Sequence, residues 1–375
     1  MMKKTAALSF FAVAVMIPGI AAADSGEENE YLIQFDGPSE KGLLQAFGVE
    51  GDDILHEYNE LPVYLVELND GQAEDLENHP HVVSLEENAE VQALNQEEPY
   101  GIGQIQSDEA YELGVDGAGM NVAVLDTGID ASHEDLEGNV VDGYSVFTDS
   151  ENSDPYMDGN GHGTHVAGTV AAVDNDLGVI GAAPEADLFA VKVLDNDGSG
   201  SLAGIAEGLE WSVQNDIDII NMSLGGSTGS SILEEFTDLA YDEGALVVAA
   251  AGNSGSGYGF FNTVGYPARY DSAMAVAAVD ENNQRASFSS TGAEVEIAAP
   301  GVGVVSTVPG NDYAALDGTS MASPHVAGAA AQVWQAKPEL TNEELRALLN
   351  ETAETLDSTY YTGNGLIQVQ DAIDW

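Results

Sequence analysis

At 375 residues the chain is long enough for one large domain and a smaller one, and 44% hydrophobic with 19% charged residues is a globular balance, not that of a disordered chain. Its 65 Asp and Glu against 8 Lys and Arg give a formal net charge of -57, which repels nucleic acid and anionic membranes and argues against both as partners. There is no cysteine, which excludes disulfides, thiolate catalysis and Cys-ligated zinc.

The first residues read as an export signal. Met1-Met2-Lys3-Lys4 is a short basic start, and residues 6–17 are apolar but for Ser9. Pro18-Gly19 breaks that run, and Ala21-Ala22-Ala23 offers the small residues a signal peptidase needs. The run is short for a membrane span, and no later segment reaches about 18 uninterrupted apolar residues. Residues 1–23 are therefore expected to be removed, leaving a secreted, extracellular chain without a membrane anchor. From 24 to 94 the pattern is that of a small α+β module. Segments 31–35, 63–68 and 82–85 have strand composition, and 71–78 is polar with helical spacing, stopping before Pro80. This stretch holds 19 acidic residues and one basic residue, Lys41, with no cluster able to do chemistry alone.

From Asn95 onward, apolar runs of strand length alternate with helical stretches, the pattern of a parallel α/β sheet. Strands are expected at 122–125, 188–194, 217–222, 245–250, 273–279 and 295–298, and their continuous apolar character suits burial on both faces. Helices are expected at 202–213, at 232–241 and, rich in small residues, at 321–335. Functional groups in such sheets gather at the carboxyl ends of the strands.

Three segments set a reactive group among glycines or other small residues. Val124-Leu125-Asp126-Thr127-Gly128 puts a carboxylate at the end of a buried strand, and Gly161-His162-Gly163-Thr164-His165 an imidazole at the start of a helix. Gly318-Thr319-Ser320-Met321-Ala322-Ser323-Pro324-His325 puts a hydroxyl where another helix begins. Each alone has a plainer reading as a helix cap, a loop residue or a satisfied polar group. Together they form a working set. A serine hydroxyl is a poor nucleophile until a base takes its proton, and neutral histidine is the natural base near neutral pH. A buried carboxylate then fixes the histidine tautomer and stabilises the imidazolium.

With Asp, His and Ser in this chain order, the stretch from Pro99 to the C-terminus, about three quarters of the chain, resembles the subtilisin family. The resemblance implies an α/β fold with a parallel central sheet flanked by helices, and the activity of a secreted serine endopeptidase. It assigns Ser320 as nucleophile, His162 as general base and acid, and Asp126 as orienting carboxylate. The Asn253 side chain and the Ser320 backbone N–H would form the oxyanion hole. Ser223-Leu224-Gly225 and Ala250-Ala251-Gly252 resemble the walls of the primary specificity pocket, with Gly265 at its base. Gly198-Ser199-Gly200 resembles the edge that pairs with extended substrate, and Leu202 and Ile205 an outer apolar pocket. Small residues in the primary pocket leave a roomy apolar slot, so large apolar or aromatic residues are expected before the cut, and backbone pairing by strand addition implies broad specificity. The module 24–94 resembles the family's propeptide, a ferredoxin-like intramolecular chaperone and inhibitor. Its tail Val91-Gln92-Ala93-Leu94 would fill the cleft until self-cleavage between Leu94 and Asn95 frees a monomeric catalytic domain, 95–375, acting on proteins and peptides.

His162 and His165 stand three apart, but their surroundings offer no third zinc ligand and no glutamate of a zinc-protease helix. Calcium suits the oxygen-rich loop 173–179 better. It resembles the family's calcium loop, with carbonyls of Val173, Leu177 and Val179, the Asn175 amide oxygen, and the side chains of Asp135 and Gln96. A weaker cation site is implied at Glu294 and Glu296 with the carbonyls of Ala268, Tyr270 and Ala273; plain solvent-facing acids read those glutamates equally well. Two features depart from the family. Thirty-five residues separate Asp126 from His162, a few more than is familiar, and the excess falls in the polar stretch 149–160, expected as a surface loop. From Asn95 on, 46 acidic residues face 5 basic ones. Self-repulsion of that size is relieved by screening salt, which points to a halophilic protein, though high solubility alone is another reading. Two rivals from other classes are a catalytically silent binding protein of this fold and a structural calcium-binding module. The first should have lost a triad or oxyanion residue, and the second gives no reason for Asp126, His162 and Ser320 in their contexts.

Overall fold

The computed structural model describes residues 29–37, 41–51, 53–58, 61–88, 96–255, 261–356 and 358–375. The export signal, the tail 91–94 and the expected Leu94–Asn95 junction lie outside them. The chain forms two compact units, Met1–Ala93 and Leu94–Trp375.

In the first unit, β1 (Asn29–Phe35), β2 (Ile54–Glu57), β3 (Val63–Leu68) and β4 (Val82–Glu87) make an antiparallel sheet in the order β2-β3-β1-β4. Helices Lys41–Ala46 and Asp70–Glu77 complete a ferredoxin-like βαββαβ unit. Alternation in β3 buries Tyr64, Val66 and Leu68 beside Ile33, Phe35, Leu44 and Leu76. The second helix starts where Asn69 and Gln72 cap each other, at 3.0 and 3.1 Å. The three strands expected here are present. Helix Lys41–Ala46 and the largely exposed β2 lacked a readable apolar period.

The second unit is built on seven parallel strands: β5 (Asn121–Asp126), β6 (Val140–Ser145), β7 (Asp187–Lys192), β8 (Ile219–Met222), β9 (Leu246–Ala250), β10 (Ala273–Val279) and β11 (Val295–Pro300). Their order is β11-β10-β9-β8-β5-β7-β6. Strands β8, β9 and β10 are buried throughout because helices cover both faces, as their unbroken apolar runs require. Every strand and helix expected in this unit is present within two residues at each end. The edge strand β6 was not expected, since Asp142 and Gly143 interrupt its apolar run and it has only one neighbour. The hairpin of β12 (Val304–Val308) and β13 (Asp312–Leu316) was likewise unread. The chain reverses its direction of travel across the sheet between β5 and β8. Carboxyl ends flanking such a switch leave a crevice between their loops.

Candidate active site

Asp126 ends β5 on that crevice and is fully buried. His162 opens helix His162–Ala171, and glycine lets the helix meet the strand. A Cβ on Gly163 would overlap the Gly128 carbonyl oxygen and lie 3.2 Å from Asp126 Cβ. The resulting contact is 2.7 Å from His162 Nδ1 to Asp126 Oδ1. A carboxylate only accepts, so Nδ1 carries the proton and Nε2 is the free basic nitrogen. Asp126 Oδ1 also accepts the Thr127 N–H at 2.8 Å. Burial pulls the His162 pKa down, but the Asp126 carboxylate, by charge and hydrogen bond, and the Asp158 charge outweigh it and raise it above the ordinary value.

Asp158 is a part of the site that the sequence reading missed. It is almost wholly buried and accepts from Thr127 Oγ1 at 2.8 Å, the Gly161 N–H at 2.8 Å, the Thr164 N–H at 2.9 Å and Thr164 Oγ1 at 2.7 Å. It thereby ties the strand end carrying Asp126 to the helix start carrying His162. The available signal was an acid four residues ahead of the histidine in Asp158-Gly159-Asn160-Gly161-His162. Lys192, buried at the end of β7 and paired in register with Asp126, donates to the Thr127 carbonyl and, at 3.0 Å, to Asn196 Oδ1.

Ser320 is the second residue of helix Thr319–Ala336 and lines, with His162, a cleft of about 880 Å³. Asn253 lines it too. Its Oδ1 accepts both the N–H and the Oγ1–H of Thr319 at 3.0 Å, so the amide oxygen is engaged and Nδ2 is left to donate. Gly252 turns the chain into this position with φ 104°, a left-handed conformation that favours glycine. Ser223, Leu224, Gly225, Ala250, Gly252, Gly265, Gly200, Leu202 and Ile205 all line the same cleft. Ser199 does not: its carbonyl closes a turn by accepting the Asp195 N–H at 2.8 Å. Leu194, Leu233, Tyr266 and Arg269 line the cleft without having been anticipated.

His165 is no partner of His162 in a metal site. Its Nε2 faces the carbonyls of Val304 at 3.0 Å and Ala314 at 3.1 Å, and so is a donor. Burial pushes its pKa down to about 4.

The six residues expected as calcium ligands are linked to one another by hydrogen bonds. Gln96 Nε2 reaches the carbonyls of Val173 and, at 2.9 Å, Val179. Asp135, fully buried, accepts from the Val179 N–H at 2.8 Å and from Asn175 Nδ2 at 3.2 Å, and it bonds the Tyr313 hydroxyl. Asn175 Oδ1 accepts the Leu177 N–H at 2.9 Å. These donors are neutral, so among the described residues no positive charge is bonded to this buried carboxylate, which sits among carbonyl oxygens. Hard-oxygen donors around such an anion fit a calcium ion.

The expected weak cation site looks different. Arg346 donates to both oxygens of Glu296, with Nε at 2.7 Å from Oε1, and to the carbonyls of Ala273 at 3.1 Å and Asp271 at 3.0 Å. Arg269 Nε lies 3.1 Å from Glu294. Ala268 and Tyr270 are buried beside them, and the Tyr270 hydroxyl is bonded to the Ser230 backbone. The structure thus corrects the expectation: two guanidinium groups supply the positive charge there.

Residues 117–367 match the model of the subtilase family, and residues 26–94 match that of peptidase inhibitor I9. The chain is 50% identical over 355 residues, 95% of each chain, to the thermostable alkaline protease of Halalkalibacterium halodurans. It is 45% identical over 356 residues to subtilisin E of Bacillus subtilis, covering 94% of this chain and 92% of that one. To an alkaline protease of Shouchella clausii it is 47% identical over 344 residues, covering 92% and 88%.

Proposed function

This chain belongs to the subtilase family and is a serine endopeptidase, and from that premise we propose that Asp126, His162 and Ser320 are its catalytic triad in a secreted, self-processing zymogen. The observation that carries the assignment is the 2.7 Å Asp126–His162 bond beside a cleft that His162 shares with Ser320 and Asn253. A peptide extends along Gly198 and Gly200. His162 Nε2 takes the Ser320 Oγ proton as Oγ attacks the scissile carbonyl carbon. The resulting oxyanion accepts from Asn253 Nδ2 and the Ser320 N–H. The C–N bond then breaks as His162 returns the proton to the departing amine, leaving an acyl-enzyme. Water repeats the sequence: His162 takes its proton, the acyl–oxygen bond breaks, and Ser320 Oγ leaves reprotonated. Glycine and alanine lining of the cleft supports broad specificity with large apolar or aromatic residues before the cut.

Residues 1–23 act as the export signal, 24–94 as propeptide and 95–375 as the mature enzyme. The inhibitor match over 26–94 supports the middle assignment. Among the described residues no helix is long and apolar enough to cross a membrane. Gln96, Asp135, Val173, Asn175, Leu177 and Val179 would hold a calcium ion, whose charge would neutralise Asp135 and pin the loop, apart from the cleavage chemistry. The excess of 46 acidic over 5 basic residues from Asn95 on makes the folded enzyme salt-stabilised. Activity falling steadily from dilute calcium buffer to molar NaCl counts against that last point. The deciding experiment for the whole reading is the mass and casein-digesting activity of protein secreted as wild type and as Ser320→Ala. A wild type trimmed to near Asn95 and active, beside an untrimmed, inactive variant, supports nucleophile and processing together. A variant that digests casein like wild type overturns the triad.

A further inference from the structure

The nucleophile helix carries a backbone defect that a distant strand repairs. In an α-helix the Ser320 carbonyl would accept the N–H of residue 324, but that residue is Pro324, inside the helix, with no N–H and a ring that crowds this carbonyl. Ser223 meets the carbonyl instead, its Oγ donating at 2.8 Å. Ser223 lies just beyond the carboxyl end of β8 and is 3% exposed, so water has little access to replace it. A serine hydroxyl has one proton and can also accept. Asn221, fully buried in β8, sets the direction: its Nδ2 donates to Ser223 Oγ at 2.9 Å, which leaves the Ser223 proton for the Ser320 carbonyl. Asn221 Oδ1 accepts from Ser323 Oγ at 2.7 Å, on the same helix as the nucleophile. Donor and acceptor thus alternate without conflict around the ring Ser323, Asn221, Ser223, Ser320. A buried amide among Ile219, Ile220 and Met222 costs stability unless its bonds are made, and here they are.

We propose that Asn221 and Ser223 are positioning residues for the nucleophile: they stand in for the missing Pro324 N–H and hold the Ser320 backbone, and with it Ser320 Oγ, in line with His162. This rests on Ser320 being the nucleophile, which the inactivity of Ser320→Ala checks separately.

The test uses the full secreted chain as Asn221→Ala, Ser223→Ala, Ser223→Thr, Pro324→Ala and the double variant Ser223→Ala/Pro324→Ala. Active-site titration gives functional enzyme, and kcat and KM are measured per titrated site. Loss of the bond to the Ser320 carbonyl in Ser223→Ala, or of the amide that orients it in Asn221→Ala, should lower kcat about tenfold, with KM changed less than about twofold. Ser223→Thr, which keeps the hydroxyl, should lose clearly less kcat than Ser223→Ala. Pro324→Ala restores the peptide N–H, so Ser223→Ala should cost far less in that background. Wild-type kcat in both alanine variants overturns the proposal, as does a Ser223→Ala loss of equal size with and without Pro324. If Ser223→Ala does not accumulate, recovery of titratable enzyme in the double variant supports the proposal and continued failure counts against it.

Discussion

Around Asp135 and around Glu296 the chain assembles the same kinds of oxygen: a carboxylate, a side-chain amide and backbone carbonyls. At Asp135 the bonded donors are a peptide N–H, an asparagine amide and a tyrosine hydroxyl, all neutral. At Glu296 the donors include the Arg346 guanidinium, with its Cζ also 5.5 Å over the Tyr241 ring, and the Asn350 amide at 2.6 Å. What separates a candidate cation site from a salt bridge here is which side already holds a positive charge, because a buried carboxylate is costly without one.

That contrast can be broken in three places. Chelating calcium should have the largest effect, about 4 kcal/mol of stability if the ion is normally present near a thousand times its Kd, read as a drop in Tm that added calcium reverses. A Tm indifferent to chelator would mean that no calcium ion stabilises the protein at Asp135. Arg346→Met should come next, at about 3 kcal/mol, because it strands a largely buried carboxylate; the two side chains are 15% and 17% exposed. It should also make stability depend on added calcium or sodium at that site, a dependence the wild-type site lacks, and unfolding curves with and without the ions decide it. Arg269→Ala should cost least, below about 1 kcal/mol, since the Arg269 and Glu294 side chains are 36% and 27% exposed. A loss there as large as at Arg346 would mean that exposure does not rank the two pairs.

The three residues proposed as the triad were readable because each lies in a short segment whose local form is dictated locally. The buried run ending at Asp126, the glycines that flank His162 and the small residues that follow Ser320 all leave a mark within a few positions. Asp158 was less visible, since a carboxylate in a polar loop has many plainer uses and only its bonds to Thr127 and Thr164 mark it out.

Sequence alone determined that residues 273–279 are a buried strand and that Asp126, His162 and Ser320 end or begin their elements, since apolar periodicity and glycine placement act over a few residues. It also carried the sites' oxygen-bearing residues. Tertiary structure alone decided which groups face one another. Ser223 meets the Ser320 carbonyl across 97 positions, and Arg346 meets Glu296 across 50. Nothing in a local pattern specifies such pairings. They follow from strand order and helix packing, and those set which buried carboxylate finds a guanidinium and which is left with neutral donors.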